Sequence, residues 1–456
     1  MAQYLSDLYR QIIVKVSVSN KSIIRLAAPI SFALLIPQIS FLTNTAFLGR
    51  LGERELGVNG ITGVYYLILS MIGYGLSSGI QVQMARRAGE QDNAGLARTF
   101  TNGIMLSLGF ALLLMMVSLW LAPLIFGLSL HGSDHIFLSV DYLYIRVWGL
   151  PFLMLTQLFN AFYIATHQSR YLVHGSIVST IMNIVFDYLL IFGHGGLPKM
   201  GLEGAAVASI IAEFSFCAVM AGIFYFKRIY NKYPVRSNFN FDLALSQRSL
   251  KVAAPLIVQF MFSIGGWQVF FIFVEHLGQQ QLAASQILRS IFGIMSIGTW
   301  ALASTCNVMV SNIIGQGKQR EVPALILKIC KLSFIFAFSV SVLLLLFAHP
   351  FLALYRDDPS LIALAIPSLR VIVTATLVMS LSTVLFNGVM GTGNTVVNLA
   401  IEVSCVCCYL VYCYIVIEHN RMPLQWAWGS EFVYWSSLFI ASTIYLRTGK
   451  WKNKRI

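Results

Sequence analysis

Residues 25–61 read RLAAPISFALLIPQISFLTNTAFLGRLGERELGVNGI, and residues 251–287 read KVAAPLIVQFMFSIGGWQVFFIFVEHLGQQQLAASQI. The two stretches align without a gap. Ala27-Ala28-Pro29 falls on Ala253-Ala254-Pro255, Leu51-Gly52 on Leu277-Gly278, and Leu56 and Ile61 on Leu282 and Ile287. Further along, Phe159-Asn160 falls on Phe386-Asn387. The chain therefore repeats itself once, at half its length. Apolar runs long enough to span a bilayer lie near 26–49, 60–85, 99–126, 142–166, 171–193 and 204–226 in the first half. The second half has six more, near 252–275, 287–314, 329–349, 361–390, 396–417 and 425–446. Lipid offers no partner to a backbone amide, so such runs are helices. The short alternating segments of a closed barrel are absent. Six is even, so both halves start on the same side of the membrane. They are parallel repeats, related by an axis along the membrane normal.

The expected fold is thus an all-α integral membrane protein, with twelve transmembrane helices in two parallel-repeat six-helix bundles. Residues 1–226 form an N-terminal lobe, 227–250 a linker and 251–456 a C-terminal lobe. Two facing bundles around a cleft suit a transporter that opens to either side in turn. Composition agrees. Of 456 residues, 57% are hydrophobic and 11% charged, against about 45–50% and about 25% in soluble domains. Mean hydropathy is +0.74. A soluble globule, a disordered chain and a disulfide scaffold are excluded. At roughly 35–40 residues per span and loop, the length holds about twelve spans. Residues 1–22 are mixed and polar, so no cleavable signal is expected. The seven cysteines lie in or beside apolar runs and read as small buried hydrophobes.

A net charge of +13 suggests nucleic acid in a soluble protein. Sorted by loop, it reads as membrane orientation. With the N-terminus inside, the cytoplasmic set begins with Arg10, Lys15, Lys21 and Arg25, then Arg86, Arg87, Arg98 and Arg170. It continues through Lys227, Arg228, Lys232, Arg236, Arg248 and Lys251, then Lys318, Arg320, Lys328 and Lys331. The tail adds Arg447, Lys450, Lys452, Lys454 and Arg455. The outer loops hold only Arg50, Arg54, Lys199, Arg356 and Arg421, while Arg146, Arg289 and Arg370 lie in or at the ends of spans. This excess of inside charge places both termini in the cytoplasm of a multi-pass protein, by default in the plasma (inner) membrane. No nucleic-acid partner is needed.

Charged and polar residues inside spans are costly and mark function. Asp187 lies in MNIVFDYLLIFG, near the outer end of span 5, with Asn183 one turn earlier on the same face. An acid and an amide oxygen together suit a hard cation such as sodium, or a proton. Ser209 in span 6 and Asn44 in span 1 sit at similar depth. A structural hydrogen-bond cluster explains the same layer without transport. The second half lacks this set, since Asn44 matches Phe270 and Asp187 matches Tyr414. Coupling is therefore expected in the N-terminal lobe alone. Glu402 and Arg289 are expected to pair across the C-terminal bundle; Glu213 and Glu431 have no assigned role. Tyr65, Tyr66, Phe260 and Trp267 are candidates for an aromatic cavity, though packing against neighbours is the commoner use. Pro29 frees a carbonyl early in span 1, giving a bend point or a fixed kink.

AAPI, FLTNTAFLGRLG, and NIVFDYLLIFG followed by GLEGAAVAS resemble the multidrug and toxic compound extrusion (MATE) family over nearly the whole chain. The lack of an acid in span 7 is similar to its DinF-like branch, with coupling in the N-terminal lobe. The resemblance implies a secondary active transporter, not an enzyme, that exports organic, often cationic or amphipathic compounds by antiport with sodium or protons. It implies Asp187 and Asn183 as cation or proton ligands, with Ala205 (through its carbonyl) and Ser209 in span 6. It makes Asn160 a cavity-lining residue and Pro29 the bending proline. One departure stands out: family members usually carry aspartate where this chain has Asn44. An asparagine removes one negative charge, so sodium affinity falls or coupling rests on Asp187. A monomer is expected, with small-molecule substrates, surrounding lipid, and no cofactor beyond a candidate sodium ion. A lipid-linked or polysaccharide-precursor flippase of similar fold is the alternative. It would need a strongly basic cavity, and only Arg289 lies well inside a span. A membrane enzyme would need a clustered catalytic set, and none is evident.

Overall fold

The computed structural model describes residues 18–129, 133–235, 241–353 and 358–453. Of the charges sorted above, Arg10, Lys15, Arg236, Arg356, Lys454 and Arg455 lie outside these residues. The described residues form helices joined by turns and short irregular segments, with no strand among them. Spans 1 to 3 are Asn20–Leu51, Glu53–Glu90 and Asn93–Ser129. Span 4 is two helices, Ser133–Arg146 and Leu150–Ala165, joined by a 3₁₀ turn. Spans 5 and 6 are Arg170–Phe192 and Leu202–Phe226. Spans 7 to 10 are Leu243–Leu277, Gln279–Gly315, Val322–Leu346 and Pro359–Gly391. Span 11 is Thr395–Cys413, continued by a π-helical turn from Tyr414 to His419, and span 12 is Ser430–Thr448.

Eleven of these, among the described residues, are long and apolar enough to cross a membrane. The twelfth, Ser430–Thr448, is 19 residues long and carries Glu431 in its first turn and Arg447 in its last. Several helices outrun the apolar segments that announce them. Span 2 has 38 residues, about 57 Å at 1.5 Å per residue, where a hydrocarbon core is about 30 Å thick. Apolar runs follow the lipid, whereas the hydrogen-bond ladder continues into water.

The repeat explains the sharpest turns. Leu51 ends span 1 and Glu53 begins span 2; Leu277 ends span 7 and Gln279 begins span 8. A single glycine makes each connection. Gly278 has φ +126°, a conformation that side-chain-bearing residues rarely adopt.

By internal contacts the chain forms two compact units. One is Phe32–Ile257. The other is Val258–Ile456 with Met1–Ser31, of which 18–31 are described. In the first unit, Leu48, Val58, Tyr142, Ile191, Leu202 and Ala205 form one of the apolar clusters. The second packs around Phe270, Phe271, Tyr409 and Trp428, whose indole nitrogen donates to Ser285 Oγ at 3.1 Å.

Span 2 meets the start of span 7 through glycines. A Cβ on Gly79 would stand 2.6 Å from Ala253 Cα, and one on Gly75 would stand 2.6 Å from Ile257 Cα. Backbone cannot step aside, so Gly79→Ala is expected to destabilise the first unit by about 1–3 kcal/mol. Thermal unfolding in detergent checks this; an unchanged midpoint refutes the close crossing.

One expectation is corrected here. Cys407 and Cys408 are exposed, although the other five cysteines are buried. Cys405, Tyr409 and Cys413 follow one another at four-residue steps on the inner face of span 11, which turns Cys407 and Cys408 outward. On the turn between spans 4 and 5, His167 is half-buried. Burial, with the nearby Lys232 ammonium second, pushes its imidazole down to about 4.

Candidate functional site

Spans 1 and 5 run side by side in the first unit and are joined by three side-chain hydrogen bonds. Ser176 Oγ donates to the carbonyl of Ala33 at 3.0 Å. Ser40 Oγ donates to Asn183 Oδ1. Asn44 Nδ2 donates to Asp187 Oδ2 at 3.2 Å. Each bond joins residues 143 positions apart, so the helices run parallel and in register. Positions 33, 40 and 44 share one face at spacings of seven and four. Ala33 needs an outside donor because Pro37, four residues on, has no N–H. Ser176 supplies it.

Asp187 is fully buried. Asn44 holds Oδ2, while Oδ1 has no hydrogen-bond partner. Among the described residues no Lys or Arg forms an ion pair with it. A buried carboxylate oxygen with neither donor nor counter-charge is expensive. It is the atom a proton or a monovalent cation would complete. No group of three or more acids, His or Cys stands together among the described residues. A multivalent-metal cage is thus not assembled there. One carboxylate with the neutral oxygens of Asn183 and Ser40 close by fits the weaker demand of sodium.

The remaining expected residues divide. Ala205 is buried beside Leu48, Ile191 and Leu202. Ser209 is half-buried and bonds to none of Asn44, Asn183 or Asp187. Asn160 is half-buried, and its Oδ1 has no partner. Pro29 sits in span 1 without ending the helix, in the part of the chain grouped with the second unit. Tyr65 donates to Ser118 Oγ at 3.1 Å and packs on Phe126. Tyr66 is buried and occupied. Its hydroxyl donates to Glu213 at 3.0 Å, and the Arg146 guanidinium lies 3.7 Å above its ring. It packs as part of an ion-pair cluster.

That cluster was not foreseen. Arg146 on span 4 clasps Glu213 on span 6 with two bonds, Nη1–Oε2 at 3.0 Å and Nη2–Oε1 at 2.5 Å. Opposite charges within two apolar runs were the available signal. Ser40 was also missed, though it stands one turn before Asn44.

The expected pairing of Glu402 with Arg289 is corrected. Glu402 Oε1 instead accepts from Tyr434 at 2.7 Å. Arg289 lies over the rings of Trp267 and Phe271, at 5.8 and 5.2 Å from their centres. Glu402 faces span 12, and two aromatic faces take the guanidinium charge. Trp267 is half-buried and lines a cavity of the second unit.

The sequence profile described as MatE matches residues 29–189 and again 255–415. The chain belongs to the MatE family. The two matches fall on spans 1 to 5 and 7 to 11, so the repeat is the family's own, and each half of this MatE protein carries one copy. The Thermotoga maritima protein named probable multidrug resistance protein NorM is 21% identical over 444 residues, covering 96% of this chain and 94% of the relative. A Shewanella oneidensis protein named FAD transporter is 26% identical over 329 residues, covering 70% and 71%. A solved outward-facing structure of a multidrug resistance MATE family transporter superposes with a TM-score of 0.88 at 16% identity, covering 97% of this chain and 98% of that one. A MOP superfamily transporter from Pyrococcus furiosus gives 0.87 at 17%, with the same coverage. This MatE chain therefore has the twelve-helix, two-lobe membrane fold. The family is one of transporters.

Proposed function

We propose that the protein exports organic compounds by exchange with sodium ions or protons, through alternating access between its lobes, and that Asp187 holds the coupling cation. The observation carrying this reading is the Asp187 carboxylate. It is fully buried, bonded on one oxygen by Asn44 and unpartnered on the other. A cation that binds one conformation of the carrier better than the other can drive it. Relatives named as multidrug resistance proteins support an organic substrate, and the one named FAD transporter widens the candidates. The experiment is efflux from proteoliposomes under separately imposed sodium and proton gradients, against a panel of cationic dyes with FAD included. A rate indifferent to both gradients sinks the antiport reading.

The charge distribution supports cytoplasmic termini and a location in the cell membrane. A cysteine introduced within the linker, for example at Asn231, is expected to react with an impermeant maleimide only in inverted vesicles. Labelling from outside intact cells reverses the orientation.

A further inference from the structure

Span 6 ends at Phe226, and the chain turns sharply at Arg228, whose φ is +51°. A short helix, Ile229–Lys232, follows. Ile229 and Tyr233, one turn apart, are buried and anchor this segment. Tyr233 begins a row of packed rings. Its centre lies 5.4 Å from that of Phe162, Phe162 lies 5.4 Å from Tyr163, and Tyr163 lies 5.5 Å from Tyr171. The Tyr163 hydroxyl donates to the carbonyl of Met220 at 2.8 Å, which ties the row to span 6. A cation stands at each end of the row. The Lys232 ammonium is 5.2 Å from the Tyr233 ring centre, and the Arg170 guanidinium is 4.9 Å from that of Tyr171. Buried rings thus hold two basic groups at the surface. Lys227 and Arg228, in the same segment as Lys232, are exposed. No acid occurs between Glu213 and Asp242. Among the described residues none of these four bases forms an ion pair, whereas Arg87 has Asp92 and Lys318 has Glu321. The end of span 6 also exposes apolar rings. Phe226 is 81% exposed, and Tyr225, also exposed, stacks on Tyr230 at 5.8 Å.

We propose that this surface docks anionic phospholipid headgroups of the cytoplasmic leaflet, a placement that rests on the orientation proposed above. Positive charges that no acid answers stand at the end of a membrane-spanning helix, where anionic headgroups concentrate. Exposed aromatic rings at such a position settle at headgroup level, against the upper part of an acyl chain. A soluble phosphate answers the charges and leaves the rings of Tyr225 and Phe226 bare. A zwitterionic lipid brings an ammonium group of its own to a surface that is already positive. A nucleic acid or an acidic protein offers charge without an acyl chain. A lipid with net negative charge answers the bases and the rings together.

The test is a titration of the full chain, in an uncharged detergent, with phosphatidylglycerol carrying a fluorescent acyl chain. Bound probe is expected to be displaced by unlabelled phosphatidylglycerol, but not by phosphatidylcholine or by glycerol 3-phosphate, and to bind more weakly as salt is raised. The triple change Lys227→Gln, Arg228→Gln and Lys232→Gln is expected to weaken binding at least about tenfold. Phe226→Ser keeps every charge and removes one exposed ring, so it is expected to weaken binding about threefold, and it keeps the test decisive if the triple change fails to fold. Lys318→Gln with Arg320→Gln removes the same kind of charge from a loop of the other unit and is expected to bind within about twofold of the unaltered chain. The proposal is overturned by equal displacement with phosphatidylcholine, which means an unselective lipid contact, or with glycerol 3-phosphate, which means a free phosphate site. It is also overturned by unchanged binding in the folded triple variant or in Phe226→Ser, or by an equal loss in the Lys318 and Arg320 variant. Labelling of a cysteine at Asn231 from outside intact cells counts against the orientation alone, because binding in detergent does not depend on it.

Discussion

Asp187→Asn is expected to abolish ion-driven export and leave the protein folded. The amide fills nearly the volume of the carboxyl group, so the packing of spans 1 and 5 is kept. Asn44 Nδ2 now donates to Asp187 Oδ2 at 3.2 Å, and an amide oxygen accepts that bond as well. What disappears is the charge, the one property that distinguishes occupied from empty at this position. A coupling cation shifts a carrier only by its differential affinity for two states. Couplings of this kind are typically worth about 5–150-fold. The ratio of export with a gradient to export without one should therefore fall to unity, while thermal unfolding in detergent moves little. The companion change Asn44→Asp places a second carboxylate beside Asp187. A second negative charge beside the first either strengthens sodium binding or makes the pair harder to ionise, so the sodium or pH dependence of export is expected to shift. Export by Asp187→Asn that still follows the gradient would make this acid structural, and Glu402 and Glu431 the next candidates.

The legibility of this fold came from two physical signals. Apolar runs are dictated by lipid, and a duplicated half is dictated by the chain's own sequence, as Leu51-Gly52 and Leu277-Gly278 illustrate. Each of those pairs makes a one-residue turn between long helices. Asp187, Asn183 and Asn44 were legible because a charge inside lipid is conspicuous and helical spacing gives its face-mates. What spacing cannot give is the partner on another helix. Ser40 sits on the same face of span 1 as Asn44, yet its bond to Asn183 depends on the register of spans 1 and 5. Glu402 and Arg289 illustrate the opposite failure. Two opposite charges in neighbouring runs suggest a pair, but each found a neutral aromatic partner instead. A tyrosine hydroxyl and a ring face are invisible to charge counting. The polar contact between Ser176 and Ala33 was hidden for a different reason. It follows from Pro37, whose missing N–H leaves a carbonyl that only a neighbouring helix can satisfy.

Glu213→Gln is expected to be strongly destabilising, more so than Asp187→Asn or Asn44→Asp. Arg146 and Glu213 have side chains 12% and 15% exposed and face each other with two hydrogen bonds. Removing one member of such a pair leaves the other charge stranded, at about 3–5 kcal/mol. Here the stranded guanidinium would keep only the Tyr66 ring, 3.7 Å away, which recovers about 1–2 kcal/mol at most. Arg146→Met should cost a similar amount from the other side. The double change Arg146→Met with Glu213→Gln leaves no charge uncompensated, so it should be less destabilising than the two single changes added together. That non-additivity is the signature of a direct pair. Gly149 offers a second route to the same contact. A Cβ there would stand 2.2 Å from Glu213 Oε2 and 2.6 Å from Arg146 Nη1, so Gly149→Ala pushes the charged ends apart without deleting either. Thermal unfolding in detergent reads all four proteins. Additive losses in the double change, or a neutral Gly149→Ala, would mean that spans 4 and 6 are held by their apolar contacts and that the ion pair contributes little.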